Sequence, residues 1–144
     1  MHLCCVHKST LLVCLALAAL TSCSRQKPLS RDELQSKVRS AESIASETVM
    51  LIDFVRQGRA TQQYARGHVE YLSAEIARVA KDLNNALAPA DVAPEFNEAR
   101  RQVDALGREL STIGRRIGHP DELAGHQARV AGIRNALQHA GSSQ

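Results

Sequence analysis

Aromatic side chains are nearly missing from this chain, which has two Phe, two Tyr and no Trp among 144 residues. Sugar sites and nucleobase platforms rely on aromatic faces, so carbohydrate and nucleobase recognition are both disfavoured at the outset. Cysteine is confined in a different way. Its four copies (Cys4, Cys5, Cys14 and Cys23) all lie at the N-terminal end, so the chain beyond Cys23 must be stable through packing alone. The longest apolar run, Leu11 to Leu20, has 10 residues, well short of the roughly 20 needed to cross a bilayer as a helix. Neither sign of charge forms a block: 18 Lys and Arg are scattered among 15 Asp and Glu. A basic tail for nucleic acid would be gathered in one stretch, so no nucleic-acid partner is expected. There is no Cys-x-x-Cys-His for covalent haem, no nucleophile elbow and no alternating strand pattern for a glycine-rich phosphate loop to follow.

What is present begins with an address. Lys8 precedes the run Leu11–Leu20, which ends in the small residues Thr21 and Ser22 and then Cys23. A cationic start, an apolar middle and a small-residue exit describe a secretory signal peptide. Leu20-Thr21-Ser22-Cys23 also resembles the lipobox of bacterial lipoproteins. That resemblance implies cleavage before Cys23 and a diacylglyceryl group on its thiol, with residues 1–22 as signal peptide and 23–29 as lipidated tether. In the family's sorting pattern an aspartate after the cysteine means retention in the inner membrane. Ser24 stands there, which implies the periplasmic face of the outer membrane. The mature chain would have 122 residues, 17 of them Lys or Arg against 15 Asp or Glu, which is one domain with a real core. Arg25, Lys27 and Arg31 follow the anchor and suit either anionic headgroups or plain solvation.

From residue 30 a single period takes over. Leu34, Val38, Ala41, Ala45, Thr48, Ile52 and Val55 recur at alternating steps of four and three. So do Ala65, Val69, Leu72, Ile76, Val79, Leu83 and Ala86, then Phe96, Ala99, Val103, Leu106, Leu110, Ile113 and Ile117. The last set is Leu123, His126, Val130, Ile133, Leu137 and Ala140. Apolar seams at heptad spacing are the mark of helices packed nearly parallel or antiparallel. Ser30 to Glu33 has the form of a capping box, Gly58 and Thr61 suit a helix exit and the next cap, and Pro94 suits a first helical position. The expected fold is all-α, an up-down-up-down four-helix bundle with helices over about 30–57, 61–87, 95–117 and 120–140, and a frayed tail over 141–144. The first two helices are expected to be the longer pair. Gly107 with Gly114 and Gly125 with Gly132, each 7 apart, predict close approach of the third and fourth helices.

Three histidines are the only residues resembling a site. His126 falls on the fourth seam, His119 lies one heptad earlier, and His68 flanks the second seam. Converging imidazoles inside a bundle bind zinc, copper or haem iron. No pair has the i, i+4 spacing of a helical metal site, however, and no carboxylate shares a seam with them, so no metal and no cofactor is expected. Ser43, Ser46, Ser73 and Ser111 lie within helical pattern, and the thiol of Cys23 would be consumed by lipid, so no catalytic residue is expected and the chain reads as no enzyme. Around the first reversal, Arg56, Arg59 and Arg66 accompany Tyr64 and Tyr71, which are 7 apart. They form either a contact patch for a partner or the edge of an aromatic-poor core. The chain is therefore expected to be a lipid-anchored, non-catalytic interaction or structural module that meets another envelope protein or itself. The alternative is a small-ligand or metal- or haem-binding bundle in the periplasm, built on His126 with His68 or His119.

Overall fold

The computed structural model describes residues 28–88 and 90–142. The signal peptide over 1–22, Cys23 and the tether up to residue 27 lie outside the described residues, as do Pro89 and residues 143–144. Four helices carry the chain: α1 (Arg31–Arg56), α2 (Gln62–Asn84), α3 (Ala93–Arg116) and α4 (Leu123–Ser142). Short 3-10 turns over Ala90–Val92 and Pro120–Glu122 lead into the last two, and no strand occurs among the described residues.

Local chemistry sets each end. Ser30 Oγ accepts from the Glu33 amide at 3.2 Å while Glu33 Oε2 accepts from the Ser30 amide at 2.8 Å, closing a reciprocal capping box. α1 stops where Gly58 adopts φ +67°, a left-handed turn that costs glycine little, and the amides of Gly58 and Arg59 then satisfy the carbonyls of Val55 and Phe54. Three residues later Thr61 Oγ1 caps α2 through the Tyr64 amide at 3.2 Å. Pro94 occupies the first turn of α3, where its missing N–H breaks no bond.

The helices form a ring. α1 packs on α2 and α4, α3 packs on the same two, and the diagonal contact between α1 and α3 is slight. Cross-helix pairs give the directions. Glu47 meets His68 and Lys37 meets Asp82, so α1 and α2 run oppositely. Glu42 with Gln138 and Arg56 with Gln127 do the same for α1 and α4, and Glu109 with His126 for α3 and α4. This is the up-down-up-down bundle that the heptad seams and short connections require.

The core is the seams. Every seam position of α1 and α3 is buried, as is every one of α2 except Ala86. Thr48, the one buried polar residue among those described, satisfies its hydroxyl on the Ile44 carbonyl at 2.8 Å. Ile44 and Leu51 are buried too, beyond the expected seams, because α1 must cover a flank of α2 as well as the centre, and Val92 is buried in the turn that leads into α3. α4 is the exception: only Leu123, Val130 and Leu137 are fully buried, with His126, Ile133 and Ala140 half-buried.

Several boundaries differ from expectation. α2 ends at Asn84 rather than near 87, because Leu87 turns back to accept from the Leu29 amide at 3.2 Å. Pro28 and Leu29, assigned to the tether, are thereby docked onto the bundle. α3 starts at Ala93 rather than 95, and α4 begins at Leu123 and runs to Ser142. Residues 141–142 are therefore helical rather than frayed, and Gly141 lies so close to α1 that an added Cβ would stand 3.2 Å from Val38 Cγ1. The helices have 26, 23, 24 and 20 residues, so α2 is not longer than α3.

The glycine expectation is also corrected. Gly107 and Gly114 face α2, where a Cβ would meet Ile76 at 3.9 Å and Val69 at 3.4 Å, while Gly132 on α4 has nothing within 4 Å. The close approach is therefore between α2 and α3. Two substitutions separate these roles in urea unfolding. Gly132→Ala should raise stability by about 1 kcal/mol, the ordinary cost of helical glycine. Gly114→Leu should lower it by roughly 1–3 kcal/mol, because the added carbons must enter a filled interface.

Candidate functional site

Only Phe96, of the four aromatic residues, enters the core. Tyr64 and Tyr71 remain 58% and 56% exposed, Phe54 39% and Met50 57%, and together with Leu87 these are the large apolar residues left outside among those described. Four of the five share one face. Tyr64 and Tyr71 lie one heptad apart on the flank of α2 that turns toward α1. Phe54 lies one heptad beyond Glu47 on the facing flank of α1, with Met50 between them on the outer side. The rows meet through His68, whose Nε2 is 2.8 Å from Glu47 Oε1.

The rings on α2 form a row. Tyr64 and His68 stack with centroids 5.6 Å apart and planes 13° apart, and His68 to Tyr71 is 6.1 Å at 35°. Between the two tyrosines Gly67 leaves a gap: a Cβ there would meet nothing within 4 Å. The result is an open hollow of about 530 Å³ whose walls include Tyr64, His68 and Tyr71.

The arginines expected beside the tyrosines are dispersed. Arg59 lies over the Phe54 ring, 4.9 Å from its centroid, and so belongs to the same face. Arg56 turns to α4 and donates to Gln127 Oε1 at 2.8 Å. Arg66 lies on the other flank of α2, beside Gln62 and Glu70. Of the five residues expected to form a patch, Tyr64 and Tyr71 come together around His68 and Arg59 lies on Phe54, whereas Arg56 and Arg66 point elsewhere.

The histidines are also kept apart. His68 belongs to the α1–α2 groove and His126 to the α3–α4 groove, while His119 is exposed just before the Pro120 turn. Sequence periodicity placed no carboxylate beside them, yet each of the two half-buried rings has one, supplied by the neighbouring helix: Glu47 for His68, Glu109 for His126. Among the described residues no three side chains of His, Cys, Asp or Glu converge as a metal site requires.

Glu109 anchors the second cluster. Its Oε1 accepts from Arg129 Nε at 2.8 Å and its Oε2 lies 2.6 Å from His126 Nδ1, which is also 2.7 Å from the Arg129 guanidinium. Partial burial pushes its carboxyl up, but the bonds from His126 and Arg129 outweigh that and hold it below the ordinary 4.5. The arrangement clamps α4 onto α3. A groove of about 610 Å³ between α2 and α3 is floored by Ile76, Val103 and Gly107. Hydroxyls lining it bond locally: Ser111 Oγ accepts from Arg115 at 2.8 Å, and Thr112 Oγ1 donates to the Arg108 carbonyl at 3.1 Å and accepts from Arg115 at 3.2 Å.

Comparison with protein-family models, curated proteins and solved structures finds no match for the chain. Among the described residues no helix is long and apolar enough to cross a membrane.

The Glu109 cluster has a pH signature. A carboxylate whose pKa is lowered by folding contributes stability that is complete above its unfolded value and is lost as pH falls through the folded one. Glu109→Gln should therefore be less stable than the wild type at pH 7, by about 1–2 kcal/mol. Urea titrations should show that gap closing below about pH 4.5 as the wild-type carboxylate takes up its proton. A gap unchanged down to pH 3 would mean that the ion cluster does not support the fold.

Proposed function

We propose that this chain is a lipid-tethered, non-catalytic interaction module of the bacterial cell envelope, and that the exposed α1–α2 face is the surface through which it acts. The observation that carries the reading is the exposure of three of the four aromatics. Leaving a large apolar side chain in water forgoes roughly 1.5–3 kcal/mol of burial, and this bundle leaves the rings of Phe54, Tyr64 and Tyr71 outside. Tyrosines with a neighbouring arginine at the centre of such a face have the composition of interface anchors.

The tether supports the same reading. The lipobox-like Cys23 precedes α1 by eight residues in the sequence, and α1 starts at the bundle end where Leu29 meets Leu87. Phe54 and Tyr64 belong to the far end, 23 residues along α1, or about 35 Å at 1.5 Å per residue. An anchor at Cys23 thus holds the face away from the lipid surface, out toward other envelope components at the periplasmic face of the outer membrane. Cys23 supplies the membrane attachment, and the face supplies the specificity.

The test is crosslinking in intact cells with a C-terminally tagged chain, then affinity purification and mass spectrometry. The wild type should carry a diacylglyceryl group on Cys23 and give one reproducible crosslinked species. Tyr64→Glu with Tyr71→Glu should lose that species at least tenfold while keeping its helical circular dichroism. Cys23→Ser should release the chain from the membrane fraction. Unmodified Cys23 would remove the anchor from the reading, and crosslinking indifferent to the tyrosine changes would remove the face.

A further inference from the structure

The α1–α2 face is built to receive a second copy of itself, and we propose that the chain acts as a parallel two-fold dimer in which Met50 of each copy fills the Gly67 hollow of the other. The inference rests on the interaction reading above and names its partner.

The argument is one of heights along the bundle. Lys37 is level with Asp82 and Glu47 with His68, so Met50 is level with residues 65–69 of α2, Phe54 with 61–65, and Tyr71 with 44–48. A two-fold axis parallel to the helices leaves every height unchanged and sets α1 of one copy against α2 of the other. Met50, the most outward apolar side chain of α1 and 57% exposed, then faces the gap that Gly67 leaves between Tyr64 and Tyr71 of the second copy. Phe54 meets that copy's Tyr64, and the Tyr71 hydroxyl comes level with that copy's Glu47, a donor facing a carboxylate. The rows are complementary in shape because one has a protruding side chain where the other has a hollow. They are complementary in polarity because α1 brings the Glu47 carboxylate, whose other oxygen is held by its own His68, while α2 brings the phenol hydroxyls.

Anchoring selects this axis. Two chains held at Cys23 in one leaflet stand side by side with the same end up, which is the condition for a parallel two-fold. Confinement also lowers the area required. A stable dimer in solution covers about 800 Å² per partner, and the four exposed side chains supply roughly half of that. Tethering raises the local concentration as a short linker does, so a modest face suffices.

The experiment uses the full-length chain in membranes. One tagged copy carries Met50→Cys and a differently tagged copy carries Gly67→Cys, and mild oxidation should join them into a species containing both tags. The same pairing with Gly132→Cys, on exposed α4, should not. Gly67→Leu is the independent variant. Its Cβ enters open space and leucine favours helix over glycine, so the monomer should be at least as stable, while the filled hollow should abolish Tyr64-dependent self-crosslinking. Failure of the Met50–Gly67 pair to join, or Gly67→Leu dimerising like the wild type, overturns the proposal. If Cys23 is lipidated and Tyr64→Glu releases a different envelope protein while no such disulfide forms, the interaction reading stands and the second copy is excluded. If the disulfide forms on a chain whose Cys23 is unmodified, the dimer stands and the anchor falls.

Discussion

Antiparallel register at heptad spacing is the constraint on which the rest of this molecule depends. Apolar residues at alternating steps of three and four give each helix a stripe narrow enough to lie along two neighbours, and short connections make successive neighbours run oppositely. Once the register is fixed, every polar pairing follows from height. Lys37 can reach only the region of Asp82, Glu47 only that of His68, and Glu109 only that of His126. These pairs are not what drives association, since partly exposed ion pairs contribute little. They act as pins against a slip along the seam, which an alternation of Leu, Ile, Val and Ala would otherwise tolerate.

The same seams explain why the aromatics are outside. Ala41 and Ala45 on α1, Ala65 on α2 and Ala99 on α3 occupy core layers with almost no side-chain volume, and all four are fully buried. Each lets its helix approach its neighbours until leucine and isoleucine fill what is left. Gly107 and Gly114 tighten α2 against α3 further. A tyrosine placed in such a layer would overfill it at a cost of 1–3 kcal/mol or more (roughly). Phe96 is accommodated near the end of the bundle, beside the loop that contributes Val92. The core is closed to further rings by its own alanines, so the remaining three must find other company.

How far the sequence alone carries is visible element by element. The seams were legible because burial on one helix face has a fixed period, and the caps at Ser30, Thr61 and Gly58 were legible because each solves a local hydrogen-bonding problem. What could not be read was anything set by the neighbouring helix. Ile44 and Leu51 look like strays until α2 lies across them. Gly107 and Gly114 have the same spacing whichever neighbour they face, and only assembly shows it to be α2. Glu47 and His68 are 21 residues apart, and no periodicity on one helix links them. A signal was nonetheless present. Once the first two helices are taken as an antiparallel pair reversing near Gly58, residues equidistant from the turn come level, which brings Glu47 near His68 and Phe54 near Tyr64. Applying that fold-back to the off-seam residues would have joined Met50, Phe54, Tyr64 and Tyr71 before any coordinates existed.

The helices do not share the stability equally, and the inequality bears on function. α4 keeps one complete column of buried residues, Leu123, Val130 and Leu137, while its second column is His126, Ile133 and Ala140, all half-buried. Its glycines at 125 and 132 add about 1 kcal/mol each to the cost of holding it helical. Much of its orientation therefore comes from polar ties: Arg56 to Gln127, Glu42 to Gln138, and the Glu109 cluster. An element with fewer buried apolar contacts and more exposed bonds opens at lower free energy than the elements it covers. α4 lies between α1 and α3, away from the α1–α2 groove, so its opening need not disturb Tyr64, His68 or Tyr71. The exposed face is thus carried by the hairpin with the two continuous seams.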